Sequence, residues 1–140
     1  MKRALWFFLG MASVALWSTP QAKEVEKKDQ TSQVALERPV SGHLTELNGK
    51  YKLRATVTTY APGGFIGEHH HPGPGIRYVA SGALTYVQPD RTTVYKAGDF
   101  FYESGDITHT AVNKTKAAVK VINFELLPVD WKGSSAIPPK

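Results

Sequence analysis

Gly63-Gly64-Phe65-Ile66-Gly67-Glu68-His69-His70-His71-Pro72-Gly73-Pro74-Gly75-Ile76-Arg77-Tyr78-Val79-Ala80-Ser81-Gly82 packs three of the chain's five histidines between glycine-rich turns and a short apolar run that ends in Gly82. That is how ligands are placed on a strand entering a tight hairpin. His109 closes a second glycine-punctuated run, Gly98-Asp99-Phe100-Phe101-Tyr102-Glu103-Ser104-Gly105-Asp106-Ile107-Thr108-His109-Thr110-Ala111-Val112-Asn113. Residues two apart on a strand share a face, so His69 and His71 project together while Glu68 and His70 project the other way. The expectation is that the two stretches meet in space and that His69, His71 and His109 hold one divalent transition metal, among Fe, Zn, Mn, Ni and Cu. The competing reading is a solvated histidine loop with His109 packed separately, and the residue types leave it open.

The two stretches resemble the paired motifs of the cupin superfamily, in its small single-domain form. The first motif runs Gly, five residues, His-x-His, three or four residues, Glu, six residues, Gly; Gly63, His69, His71 and Gly82 fall in its frame, but Gly75 stands where the Glu should be. The second runs Gly, five residues, Pro-x-Gly, two residues, His, three residues, Asn; Gly98, His109 and Asn113 are in register, with Ser104 for the Pro and Asp106 for the Gly. The match spans residues 51–128. The resemblance implies an all-β jelly roll, or double-stranded β-helix, with metal on His69, His71 and His109 and pairing of two copies through an outer sheet.

The absent carboxylate has two readings. Either the site has decayed and the barrel binds small molecules without metal, or it is a three-histidine site similar to cupin-fold dioxygenases that hold Fe(II) in this way. The second is favoured because all three histidines are present. Losing a carboxylate would raise the charge of the centre by one and favour an anionic or bidentate ligand. Glu103 or Glu125 could substitute from a neighbouring strand, and Glu68 is disfavoured by parity.

Working outward, the N-terminus reads as a secretory signal peptide over residues 1–22. Lys2 and Arg3 precede an apolar run over 4–17 and then the small and turn-forming Ser18-Thr19-Pro20-Gln21-Ala22. The apolar run falls short of the about 20 residues of a membrane span. The expected location is therefore periplasmic or secreted, with no membrane partner after cleavage. Without Lys2 and Arg3, 15 basic residues face 12 acidic ones, too small a surplus for a nucleic-acid footprint. Residues 23–33 mix both charge signs with little apolar content and read as a flexible leader. No cysteine is present, so disulfides and thiolate ligands are excluded.

Residues 34–128 read as one barrel domain. Tyr51-Lys52-Leu53-Arg54-Ala55-Thr56-Val57-Thr58-Thr59 alternates apolar with polar, the two-residue period of a strand with one buried face. Asn48-Gly49 turns into it and Ala61-Pro62-Gly63-Gly64 turns out. Short runs over 76–80, 83–88, 92–96, 99–103, 107–112 and 117–126 are mostly bounded by Gly, Pro, Asn or Asp, as in an all-antiparallel sandwich or barrel. Residues 129–140 read as an irregular tail.

Arg77 is two residues past Gly75 and shares its face. Pointing inward, its guanidinium would fork onto a carboxylate or enolate of a metal-bound ligand, a catalytic role; a register slip of one would place it in a surface pair instead. Asp99 and Asn113 read as turn residues, and Phe65, Tyr78, Tyr86, Phe100, Phe101 and Tyr102 suffice to line a pocket or fill a core. These observations favour a metal-dependent enzyme, dioxygenase-like or acting by Lewis-acid chemistry, on a small oxygenated substrate. The alternative is a non-catalytic barrel for a small molecule or sugar with an anchoring or vestigial metal site.

Overall fold

The computed structural model describes residues 24–139, and the expected signal peptide lies outside them. Every regular element among the described residues is a strand: β1 (Lys27–Pro39), β2 (Tyr51–His69), β3 (Gly75–Ser81), β4 (Ala83–Val87), β5 (Thr92–Lys96), β6 (Phe100–Glu103), β7 (His109–Val112) and β8 (Val119–Pro128). All pair antiparallel in the order β5-β4-β7-β2-β8-β3-β6, with β1 added along β2. The result is a nearly closed antiparallel barrel of jelly-roll form.

β2 is the spine. Residues 51–60 pair with β8 and residues 65–69 pair with β7, so one strand serves both sheets of the roll. Where the sequence suggests an exit turn at Ala61-Pro62-Gly63-Gly64, the chain bends and continues. Gly63 takes a φ of 76°, in the left-handed region that glycine tolerates. A Cβ on Gly64 would run into the Asp29 carbonyl and the Ala61 backbone. β1 bends at the same corner, its register slipping between Lys28 and Gln30.

Asn113 closes this corner and is more than a turn residue. It is fully buried, and its Nδ2 lies 3.0 Å from the Tyr60 and Ala61 carbonyls and 2.7 Å from that of Ala117. Its Oδ1 accepts from the backbone N–H and the hydroxyl of Thr115. Backbone bonds from Gly63 to Asn113 and from Asn113 to Gly64 complete the clamp.

The polar segment expected as a flexible leader is strand from Lys27 onward. Composition misleads here because an edge strand needs backbone partners, not apolar side chains, and β2 supplies them from Ile66 back to Lys52. Beyond β8 no further strand lies among the described residues, but the segment is anchored. His70 and Ile137 exchange backbone hydrogen bonds of 2.9 Å, so residues 131–137 cross the mouth of the barrel.

The alternation of β2 is real, but the buried face is the polar one. Lys52, Arg54 and Thr58 point into the barrel, whereas Leu53 is 58% exposed. The apolar core, including Tyr60, Ile66, Val79, Leu84 and Phe101, gathers toward the bend of β2 and leaves the other half of the interior polar.

Replacing Asn113 by Ala removes the Nδ2 donor from the Tyr60, Ala61 and Ala117 carbonyls and the acceptor from the Thr115 N–H and hydroxyl. Urea denaturation should register a loss of about 3 kcal/mol. A loss below about 1 kcal/mol would show that the β2 corner holds without it.

Candidate metal centre

The ladder between β2 and β7 sets two of the histidines face to face. His69 and His109 are direct cross-strand partners, with ring centroids 4.2 Å apart. His71 follows just beyond β2, where its N–H donates to the Gly105 carbonyl at 2.8 Å. Gly105 has a φ of 100° and packs against the Gly73 and His71 carbonyls, so the loop before β7 fixes the loop that carries His71. The His71 ring centroid is 5.0 Å from that of His69 and 5.3 Å from that of His109. One nitrogen from each of the three lies within 4.8 Å of the others.

The tautomers favour a metal. His69 Nδ1 is 2.7 Å from the Gly67 carbonyl and His109 Nδ1 is 2.9 Å from the Ile107 carbonyl. A carbonyl only accepts, so both Nδ1 atoms carry hydrogen and both Nε2 atoms keep a lone pair. His71 Nδ1 faces Glu125 Oε1 at 3.4 Å, too long for a well-formed hydrogen bond and oriented the same way. Each imidazole thus has an acceptor behind its Nδ1, the outer-shell arrangement usual for ligating histidines. Three neutral nitrogen donors of this kind can hold a divalent transition metal.

The position that lacks a carboxylate is flanked by two. Gly75 on β3 is paired with Glu103 on β6 and with Glu125 on β8, and all three face inward. Glu103 Oε1 lies 3.2 Å from His109 Nε2, and its Oε2 lies 3.3 Å from His71 Nε2. Arg77 points inward too, which resolves the open register. Its Nη2 is 2.5 Å from Glu103 Oε2 and 3.3 Å from Glu125 Oε1. The guanidinium fills the space above Gly75, where a Cβ would meet Nη1. Both of the carboxylates that the sequence offered as substitutes, Glu103 and Glu125, stand beside the histidines, with the Arg77 cation between them.

Lys52 and Arg54 are the functional candidates that sequence reading missed. They share the Glu37 carboxylate, at 3.0 Å and 2.5 Å, and donate to the Trp131 and Gly133 carbonyls of the C-terminal segment. Ser135 donates to Glu125 at 2.6 Å, so the same segment reaches the metal centre. The available signal was the polar half of the alternation over residues 51–59, which is ordinarily the solvent side. A cavity of about 700 Å³ joins these cations to the three histidines and is closed on one side by residues 131–136. His43 is exposed and away from it.

Burial, reinforced by the neighbouring His109 and His71, pushes His69 from its ordinary 6.5 down to about 2. Burial likewise lowers His109, against the pull of Glu103. For Glu125, burial acts upward but is outweighed by His71, Arg77 and Ser135, which bring it to about 2. For Glu103, burial acts upward as well, and Arg77, His71 and His109 hold it below its ordinary value. Both classes of group act with the same sign in metal-free protein. Unfolded histidine takes up a proton below 6.5 and unfolded glutamate below 4.5, while folded His69 and Glu125 resist to about 2. Stability is thus fully present above about pH 7 and falls as the pH drops from there toward 2. Urea midpoints at pH 8, 6 and 4 should decline in that order; a flat series would contradict the buried neutral imidazoles.

The cupin domain model matches residues 56–125, half of the chain. No curated protein matches the sequence. Among solved structures, a double-stranded β-helix protein from Klebsiella pneumoniae superposes with a TM-score of 0.57 at 23% identity, over 77% of this chain and 84% of that one. The polyketide cyclase RemF from Streptomyces resistomycificus gives 0.56 at 16% identity, over 78% and 76%. A Cupin 2 conserved barrel protein from Salinispora arenicola gives 0.55 at 20% identity, over 76% and 82%. These likenesses establish the fold, and the family match spans His69, His71 and His109. The chain belongs to the cupin domain family.

Proposed function

We propose that this protein is a metal-dependent enzyme acting on a small, oxygen-rich and anionic substrate such as an enol, dione, phenol or hydroxy acid. The observation that carries the reading is the convergence of three histidine lone pairs on the wall of a 700 Å³ cavity. That volume is within the range of small-molecule sites. Held by His69, His71 and His109, a divalent metal supplies Lewis acidity or a place for oxygen chemistry.

The chain's own groups supply the rest. Lys52 and Arg54 face the cavity against one carboxylate, Glu37, which leaves a surplus positive charge to attract an anionic group. Tyr86 packs its ring 4.7 Å from that of His109, and burial with the nearby Glu103 charge raises its hydroxyl well above the usual value. It therefore stays protonated and is available as a donor. Arg77 is committed to Glu103 and Glu125, so its work is to hold those carboxylates rather than to meet substrate.

Export and pairing belong to the same proposal. The N-terminal charge and apolar pattern supports a periplasmic or secreted enzyme. The outward sheet face supports a homodimer: Leu36, Ala55, Phe124, Ile76 and Tyr102 stand on one line across β1, β2, β8, β3 and β6, all but the half-buried Ala55 substantially exposed. Contiguous exposed apolar surface of this kind marks an interaction site.

Elemental analysis of the purified protein should find close to one equivalent of Fe, Zn, Mn, Ni or Cu. That content should be lost in His69→Ala and in His109→Ala, and the loaded parent should consume oxygen or change absorbance on enols, diones or phenols. Binding of those compounds without turnover under any of the five metals would leave the alternative, a non-catalytic barrel. Sedimentation should show a dimer that Ile76→Lys and Phe124→Lys convert to monomer. A parent that is monomeric at millimolar concentration would remove the pairing.

A further inference from the structure

The inward side chains of one rung run Arg54, Glu125, Gly75, Glu103 across β2, β8, β3 and β6. The central position has no side chain, and those on either side are carboxylates. Adjacent strands are about 4.8 Å apart, a distance a glutamate side chain can span. Glu103 reaches the histidines directly, its two oxygens lying 3.2 Å and 3.3 Å from the Nε2 atoms of His109 and His71.

Those contacts are incomplete as they stand. His109 donates through Nδ1 to the Ile107 carbonyl, so the Nε2 facing Glu103 carries a lone pair. The carboxylate offers only lone pairs in return. Two acceptors at this separation repel unless a cation lies between or beside them. Glu103 Oε2 is buried without a hydrogen bond, and its one close cationic partner is Arg77, while Oε1 faces the His109 lone pair. Arg77 serves only one side of this carboxylate, and the side facing the histidine lone pairs is left for a cation.

Gly75 itself argues for the same arrangement. A Cβ there would press on Arg77 Nη1 and lie 2.7 Å from the Phe124 carbonyl. A glutamate would also place a third carboxylate between Glu103 and Glu125. The guanidinium of Arg77 occupies that space instead and ties the two flanking carboxylates together.

We infer that Glu103 is the fourth protein ligand of the metal, supplied from the neighbouring strand β6 in place of the side chain that Gly75 lacks. Glu125, behind His71 Nδ1, is the outer partner that orients that imidazole. This rests on the metal site proposed above and gives it a three-nitrogen, one-carboxylate donor set. Such a set suits Mn, Fe or Ni as well as Zn.

The test is the structure of the Zn²⁺-loaded protein, located by anomalous scattering, together with Co²⁺ titrations of the parent, Glu103→Gln and Glu125→Gln. A Glu103 oxygen about 2.0–2.2 Å from zinc is expected. In Glu103→Gln the visible Co²⁺ bands should shift and affinity should fall by more than about 100-fold. In Glu125→Gln the bands should stay in place while affinity falls by about 10–100-fold, as for an outer-shell partner. Zinc held by the histidines with Glu103 beyond about 3 Å would overturn the ligand assignment and leave the metal site standing. A parent that takes up neither Zn²⁺ nor Co²⁺ would overturn both. The loaded parent structure decides the question even if a variant fails to fold.

Discussion

Arg77 lies between two buried carboxylates, and the polar half of this barrel is arranged around that contact. Glu103 and Glu125 come from the strands on either side of β3, and each also faces a histidine. Buried charges destabilise a fold unless they are paired, and removing one partner from such a set leaves the others exposed to the full desolvation cost. Arg77 therefore constrains more than itself. It holds both carboxylates against the imidazoles and excludes any side chain at Gly75.

A polar interior has to be offset by order elsewhere. The apolar core is confined to the region near the β2 bend, where Asn113 satisfies the backbone groups that the bend would strand. The same bend carries β2 from one sheet to the other, so its first half delivers Lys52 and Arg54 to the cavity and its end delivers His69. The C-terminal segment then covers the charged end, accepting from Lys52 and Arg54 and donating to Glu125. Two sequence-distant charged groups thus meet in one cavity because a single long strand runs past both.

Most strands were legible from short runs bounded by Gly, Pro, Asn and Asp, and the run over 92–96 coincides with β5. Two readings failed for identifiable reasons. The segment from Lys27 looked disordered because its side chains are polar, but strand pairing along β2 is made by the backbone. Ala61-Pro62-Gly63-Gly64 looked like a reversal because turn residues also serve bends, and only the partner strands β7 and β8 distinguish the two. The face of β2 was likewise hidden. Alternation gives a period but not a sign, and here the lumen takes the polar set.

The sequence by itself determined the fold family and the histidine triad, because both are written in local spacing: His69 and His71 are two residues apart at the end of one strand, and His109 holds its place in a second glycine-framed run. Tertiary structure alone decided where the carboxylates stand. Glu103 and Glu125 are 28 and 50 residues beyond Gly75 in the chain, yet antiparallel register brings both onto its rung. That register also turned Arg77 inward. Cross-strand neighbours depend on which strands pair and with what offset, and those are properties of the closed barrel rather than of any one segment.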